Sequence, residues 1–194
     1  LIAHLPATIV VRHAQEIALD WKIRQHIYGK AYTYRLHNHI IQDPMTARYQ
    51  WHIKKPLDIQ AMRKAAQALL GRHDFTTLKG ANTTPVDPVK TIYGIGIQAK
   101  KWGTGLGAIP GADQVPEKIE RIFATDESGD KSQTSLPWAG DVTITVVGDG
   151  FLYHMVRNIA GLLVDVGLGR RRVEDIPAYL AAKDRRVLGN TAPA

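Results

Sequence analysis

The sequence predicts an α+β domain with a mixed or antiparallel sheet and helices packed on one of its faces. Two observations carry this. Strand-like segments cluster along the chain instead of alternating regularly with helices, and the carboxyl-terminal part carries apolar runs with helical spacing. In order, Thr8 to Ile17 is rich in β-branched residues and reads as a strand. Lys30 to His37 alternates, setting Tyr32, Tyr34 and Leu36 on one face and Ala31, Thr33 and Arg35 on the other. Pro56-Leu57-Asp58 opens a helix through Leu70, with Ile59, Met62, Ala66, Leu69 and Leu70 as its apolar stripe and Gly71 as its cap. Val89 to Ala99 is a further strand, softened by Gly94 and Gly96. From Lys100 to Gly140, Gly, Pro, Ser and charge dominate, with a short helical pattern near Pro116 to Phe123, and an insertion is expected. Asp141 to Val147 resumes as a strand, Phe151 to Val166 is an apolar helix, and Val173 to Lys183 is a last amphipathic one. No linker divides residues 1–194, so a single domain is expected.

Composition narrows the function. Of 194 residues, 44% are hydrophobic and 22% charged, which is globular rather than disordered. No apolar run approaches the roughly 18 residues of a membrane-spanning helix, so no membrane partner is expected. Cysteine is absent, which removes disulfides, cysteine nucleophiles and thiolate metal sites. Twenty-five basic against 18 acidic residues give +7, a balance that favours polyanionic partners, nucleic acid first. Residue 1 is Leu, and no charged segment followed by a hydrophobic core marks a targeting sequence. Either a segment was removed or the chain is part of a longer one.

Several residues invite chemistry. His37-Asn38-His39 suggests a metal, but neighbouring strand side chains point to opposite faces, and no carboxylate pair accompanies them. Surface histidines and no metal site are expected. Gly103 to Gly107 resembles a phosphate loop in composition only, lacking the Lys-Ser/Thr ending. Arg170, Arg171 and Arg172 follow the apolar helix, either as a solvated turn or as phosphate contacts. Arg157 sits within that helix among apolar residues. It either snorkels to the surface or needs a carboxylate or several carbonyls. Tyr32 and Tyr34 belong to a sheet core or, beside Arg24, Lys30 and Arg35, stack on an unpaired base.

Together these stretches resemble the tRNA pseudouridine synthase A (TruA) family. Leu5-Pro6-x-x-Ile9-x-Val11-Arg12 is similar to the start of the family's second half, and Arg24 with Gly29 to Arg35 to its Arg…Lys/Arg-x-Tyr-x-Tyr strand. Leu70 to Phe75 resembles its Leu-Gly-x-His-Asp-Phe turn, and Phe151 to Gly161 its Phe-x-x-x-Met-Val-Arg-Asn-Ile-x-Gly helix. Ala181 to Arg185, then Thr191 to Ala194, resemble its carboxyl-terminal signature. The resemblance implies an RNA-modifying isomerase, without cofactor, that flips a uridine from its stack and reattaches the base through carbon. It implies that Tyr32 lies against the flipped uracil and assists proton transfer. Arg157 would pair with the catalytic aspartate, and Arg24 and Lys30 would contact RNA nearby.

One departure matters. The family's aspartate lies in an Arg-Thr-Asp-x-Gly-Val-His stretch, and nothing like it occurs here; Asp126 and Asp149 lack its flanking residues. The family's last strand, after Thr-Ala-Pro, is missing too. The resemblance therefore implies a pseudouridine synthase-like half-fold, inactive alone. Its aspartate would come from outside these residues or from a complementary subunit; a homodimer is the family expectation. The alternative is an inactive relative serving as an RNA-binding component of a ribonucleoprotein such as an organellar ribosome. Either way the partner is RNA, tRNA or rRNA, and the location intracellular, with mitochondrial or plastid matrix and cytoplasm all compatible.

Overall fold

The computed structural model describes residues 4–6, 8–22, 29–80, 86–100, 140–189 and 191–193. Strands β1 (Lys30–Asn38), β2 (Trp51–Ile53), β3 (Gly71–Asp74), β4 (Val89–Lys100) and β5 (Gly140–Gly148) form one sheet in the order β2-β1-β5-β4-β3. The β1–β2 pair is parallel and the other three are antiparallel, so the sheet is mixed. Helices α1 (Ile59–Gln67), α2 (Met155–Gly167) and α3 (Ile176–Ala182) complete the α+β architecture, with short 3-10 turns at Thr76–Leu78, Val173–Asp175 and Arg185–Leu188.

Register places the alternating residues of β1 as their spacing requires. Tyr32, Tyr34 and Leu36 stand opposite Val146, Ile144 and Val142 of β5, which stand opposite Ile95, Ile97 and Ala99 of β4. This is the covered face. Leu36, Val142, Ile144 and Val146 are fully buried against the apolar surfaces of α1 and α2, including Met62, Leu69, Ile159, Leu162 and Leu163. Each such side chain contributes about 1.5–3 kcal/mol by leaving water. A bulge in β4 between Ile92 and Gly94 inserts Tyr93 as an extra residue. It lets Ile92 join the core while Tyr93 is exposed, which strict two-residue alternation would forbid. On the opposite face nothing lies within 4 Å of a Cβ built at Gly94 or Gly96.

Four expectations are corrected. Residues 8–17 form no strand; Ile9, Val10 and Ile17 are exposed, because β-branched content makes a strand only where a ladder accepts its backbone. The first helix ends at Gln67 with Ala68 as its cap. Gly71, at φ +93°, instead turns the chain into β3, a conformation that L side chains rarely adopt. The last amphipathic segment begins as a 3-10 turn, and α3 starts only at Ile176. The apolar helix likewise begins at Met155, four residues later than Phe151. The expected insertion, apart from its flanking residues Lys100 and Gly140, lies outside the described residues. So do the short helix near Pro116 to Phe123 and the glycines of 103–107.

The β4–β5 contact supplies a stability prediction. A Cβ on Gly148 would lie 2.7 Å from the Thr91 carbonyl oxygen, a backbone atom that cannot step aside without moving β4. Gly148→Ala should cost about 1–3 kcal/mol by overpacking, whereas Gly96→Ala, into open space, should not destabilise. Urea denaturation of both variants reads the difference.

Candidate active site

Strand β1 delivers two tyrosines to the side of the sheet where α2 begins. Tyr32, 50% exposed, meets Phe151 edge to face, with ring centroids 5.3 Å apart at 89°. Tyr34 meets Trp51 in the same manner at 6.3 Å. Its hydroxyl donates to the Pro193 carbonyl. Burial pushes that phenol above its ordinary range, and the Arg157 cation only partly offsets this, so at neutral pH Tyr34 is a donor.

The start of α2 supplies the rest. His154 enters it in the left-handed conformation at φ 58°, and its ring stacks on Tyr153. Arg157 Nε donates to the Ala192 carbonyl at 2.9 Å, and the Ala192 amide donates back to the Arg157 carbonyl at 3.4 Å. Arg157 Nη1 faces His154 Nε2 at 3.4 Å, a contact that requires this nitrogen to be unprotonated. Asn158, with no solvent exposure, donates from Nδ2 to the Leu78 carbonyl at 2.7 Å, and its Oδ1 accepts from the Thr191 hydroxyl at 2.7 Å. Thr191, Ala192 and Pro193 are thus pinned in turn by Asn158, Arg157 and Tyr34. The sequence raised a carboxylate or several carbonyls for Arg157. The structure gives it one carbonyl and one imidazole, with no carboxylate in ion-pair reach among the described residues.

The turn after β3 braces this arrangement. Asp74 accepts from the Thr76 hydroxyl at 2.6 Å and amide at 2.9 Å, and pairs with Lys183 at 3.0 Å. The Thr76 hydroxyl bond is the largest cause holding its carboxyl below the usual range, with Lys183 adding to it. Thr77 donates to the Tyr179 carbonyl at 2.8 Å, tying the turn to α3.

The other expected residues are placed apart. Lys30 is exposed on the Tyr32 face; Arg35 is exposed and points to the opposite one. Arg24 lies outside the described residues. Arg170, Arg171 and Arg172 stand beyond the far end of α2, about 15 Å of helix rise from Arg157. Arg170 and Arg171 both approach Asp165, at 3.0 and 3.6 Å, and Arg171 lies 4.8 Å over the Tyr179 ring. Arg172 is exposed.

The histidines require correction. His37 and His39 are buried rather than superficial, 3% and 7% exposed, and they converge because residues two apart on a strand share a face. Their centroids are 5.8 Å apart, and His52 lies 5.7 Å from His37. His37 spends its nitrogens on Asp141 and the Ile41 carbonyl. Among the described residues no group of three or more His, Cys, Asp or Glu is placed to hold a metal. The residue between them was missed: Asn38 donates to the Ile53 and Lys55 carbonyls and accepts from the Leu57 amide, so it fastens β2 to the entrance of α1.

A family model described as tRNA pseudouridine synthase matches residues 65–194, which include Arg157, Asn158 and the Thr191–Pro193 segment. The chain belongs to the tRNA pseudouridine synthase family. It is 36% identical over 190 residues to the tRNA pseudouridine synthase A of Brevibacillus brevis, covering 98% of this chain and 62% of that protein. It is 34% identical to that of Myxococcus xanthus (97% and 57%) and 35% identical to that of Moorella thermoacetica (98% and 62%). The chain therefore spans under two thirds of the length of these relatives.

Two measurements check the bracing in this family member. Asn158→Ala should leave the Leu78 carbonyl without its side-chain donor and the Thr191 hydroxyl without its acceptor, although Arg185 still donates to that hydroxyl. Its expected cost is about 1–3 kcal/mol, read by denaturation. Because the folded Asp74 carboxyl titrates below its unfolded value of about 3.9, its contribution is present above that pH and is lost as pH falls through the folded value. Asp74→Asn should flatten the loss of stability below pH 4, measured against the unaltered chain.

Proposed function

We propose that the chain carries the tyrosine and arginine of an enzyme that isomerises uridine to pseudouridine in tRNA, and that an aspartate joins Arg157 from polypeptide beyond the described residues. The relatives' names and the family support the reaction class. The observation that carries the assignment here is the state of Arg157. Its Nε is fixed on the Ala192 carbonyl, while its Nη2 has no hydrogen bond among the described residues, so a guanidinium of set orientation keeps one edge for a carboxylate.

In the reaction the bond between N1 and the ribose C1′ breaks, the uracil turns, and C5 bonds to C1′. The C5 proton leaves and N1 gains one, so atoms balance and no redox partner is needed. The carboxylate beside Arg157 acts at the sugar. Tyr32, its ring held by Phe151 and its face open, stands against the base and assists the proton transfer. The exposed Lys30, Arg35 and Arg172, with Arg24, and with Arg170 and Arg171 where their pairing to Asp165 permits, contact phosphates.

The test uses tRNA transcribed with [5-³H]uridine, and tritium release reads the isomerisation. Activity is expected when the chain is combined with a polypeptide bearing the Arg-Thr-Asp-x-Gly-Val-His stretch. Arg157→Ala should abolish that activity, and Tyr32→Phe should bind tRNA normally while losing on the order of 10²–10⁴ in rate. Undiminished turnover in Arg157→Ala would remove the assignment. Tight RNA binding with no turnover under any complementation would favour a structural component of a ribonucleoprotein.

A further inference from the structure

Helix α2 opens on a residue that does not cap it. His154 stands where Ser, Thr, Asp or Asn ordinarily accepts from the first free amides, yet its side chain makes no capping hydrogen bond. Its backbone is left-handed, at φ 58° and ψ 6°, a conformation uncommon for residues other than glycine. A strained backbone that gains no cap in return points to another use of the side chain.

Three contacts set where the ring goes. It stacks on the neighbouring Tyr153 ring, with centroids 3.8 Å apart and planes inclined by 23°. Gly80 lies against the pair. Its amide donates to the Tyr153 carbonyl at 2.7 Å, and a Cβ built on it would come within 2.8 Å of Tyr153 Cδ1 and 3.2 Å of His154 Cβ. The third contact is with Arg157, three residues on, whose Nη1 donates to His154 Nε2 at 3.4 Å. That nitrogen must carry a lone pair, so the ring proton sits on Nδ1.

A single hydrogen bond leaves a guanidinium free to swing about its donor. The Ala192 carbonyl holds Nε at 2.9 Å, and a second acceptor at Nη1 is needed to fix the plane. With both in place, Nη2 is the nitrogen left without a hydrogen bond among the described residues. We infer that His154 is a positioning residue for the isomerisation: its neutral imidazole, seated by Tyr153 and Gly80, fixes the Arg157 guanidinium so that Nη2 is presented to the carboxylate. It acts through Arg157, and the inference rests on the role proposed for that residue above.

Two measurements test it, one of them independent of turnover. In ¹⁵N-labelled chain, the His154 ring should show a bare Nε2 and a protonated Nδ1. The two Nη groups of Arg157 should give separate signals, because rotation about the Nε–Cζ bond is hindered. His154→Phe keeps a ring for Tyr153 and removes the acceptor, so those signals should merge. His154→Gln restores an acceptor near the position of Nε2 and should keep them apart. Both variants place an ordinary side chain on the same left-handed backbone, so their comparison isolates the acceptor. In tritium release with the polypeptide bearing the aspartate stretch, His154→Phe should lower kcat on the order of 10²-fold with KM for tRNA unchanged, and His154→Gln should recover most of the rate. A proton on Nε2 in the unaltered chain, or Arg157 signals and kcat indifferent to His154→Phe, would overturn the inference. So would a glutamine variant no better than the phenylalanine one. If the unaltered chain isomerises nothing under any complementation, the functional reading falls, and the ¹⁵N spectra alone still decide whether His154 holds Arg157.

Discussion

A side-chain amide without access to water must find its partners inside the protein, and Asn158 finds them in two segments distant in sequence from each other. Its donor takes the carbonyl of Leu78, in the turn after β3, and its acceptor takes the hydroxyl of Thr191. Removing either partner would leave a buried polar group unsatisfied at about 1–3 kcal/mol. The next residue toward the amino terminus, Arg157, is thereby brought to the carbonyl of Ala192, and Tyr34 reaches across from β1 to Pro193. One buried amide thus decides where the carboxyl-terminal segment runs, and that segment in turn decides how the guanidinium points. The bracing from Asp74, Lys183 and Thr77 works on the same problem from the other side, since it fixes the turn that offers the Leu78 carbonyl.

The sheet divides the molecule into two unlike surfaces. On one, α1 and α2 bury aliphatic side chains from three strands, and the bulge at Tyr93 corrects the phase of β4 so that Ile92 and Ile95 both take part. On the other, Gly94, Gly96, Thr145 and Thr33 make a low relief, with the Thr33 and Thr145 hydroxyls hydrogen-bonded to each other. Arg35 belongs to this second surface although it is only one residue from Tyr34. A strand of alternating character thus supplies a tyrosine to the clamp and a cation to the opposite surface within a single peptide step.

Much of this was legible in the sequence. The alternation of Lys30 to His37 gave the facing of both tyrosines, and the apolar stripe from Ile59 to Leu69 gave α1, because both patterns report which side chains leave water. The two short strands were not legible. Trp51–Ile53 is too brief for a period, and Gly71–Asp74 has polar residues of low strand preference; both are strands because β1 and β4 pair with their backbones. The reverse error arose at residues 8–17, where propensity without a ladder forms no strand. Within the site, Tyr32 and Arg157 stood out by residue type and by resemblance. The partners of Arg157 did not, since a carbonyl belongs to no side chain and leaves no mark in a sequence.

That carbonyl bears on the chemistry. A half-buried guanidinium satisfied by a carboxylate within its own fold would have little left to offer another, whereas one fixed through Nε to a neutral carbonyl keeps its charge uncompensated and its orientation set. His154 sharpens the point. Its Nε2 lone pair faces Nη1 at 3.4 Å, so the imidazole holds that side of the guanidinium as a neutral acceptor and takes none of its charge. Under the proposed function, a carboxylate would therefore meet an arginine held in place on one side and open on the other. Among the described residues no carboxylate pairs with Arg157, and under the function proposed above that is what leaves it free to hold one supplied from elsewhere.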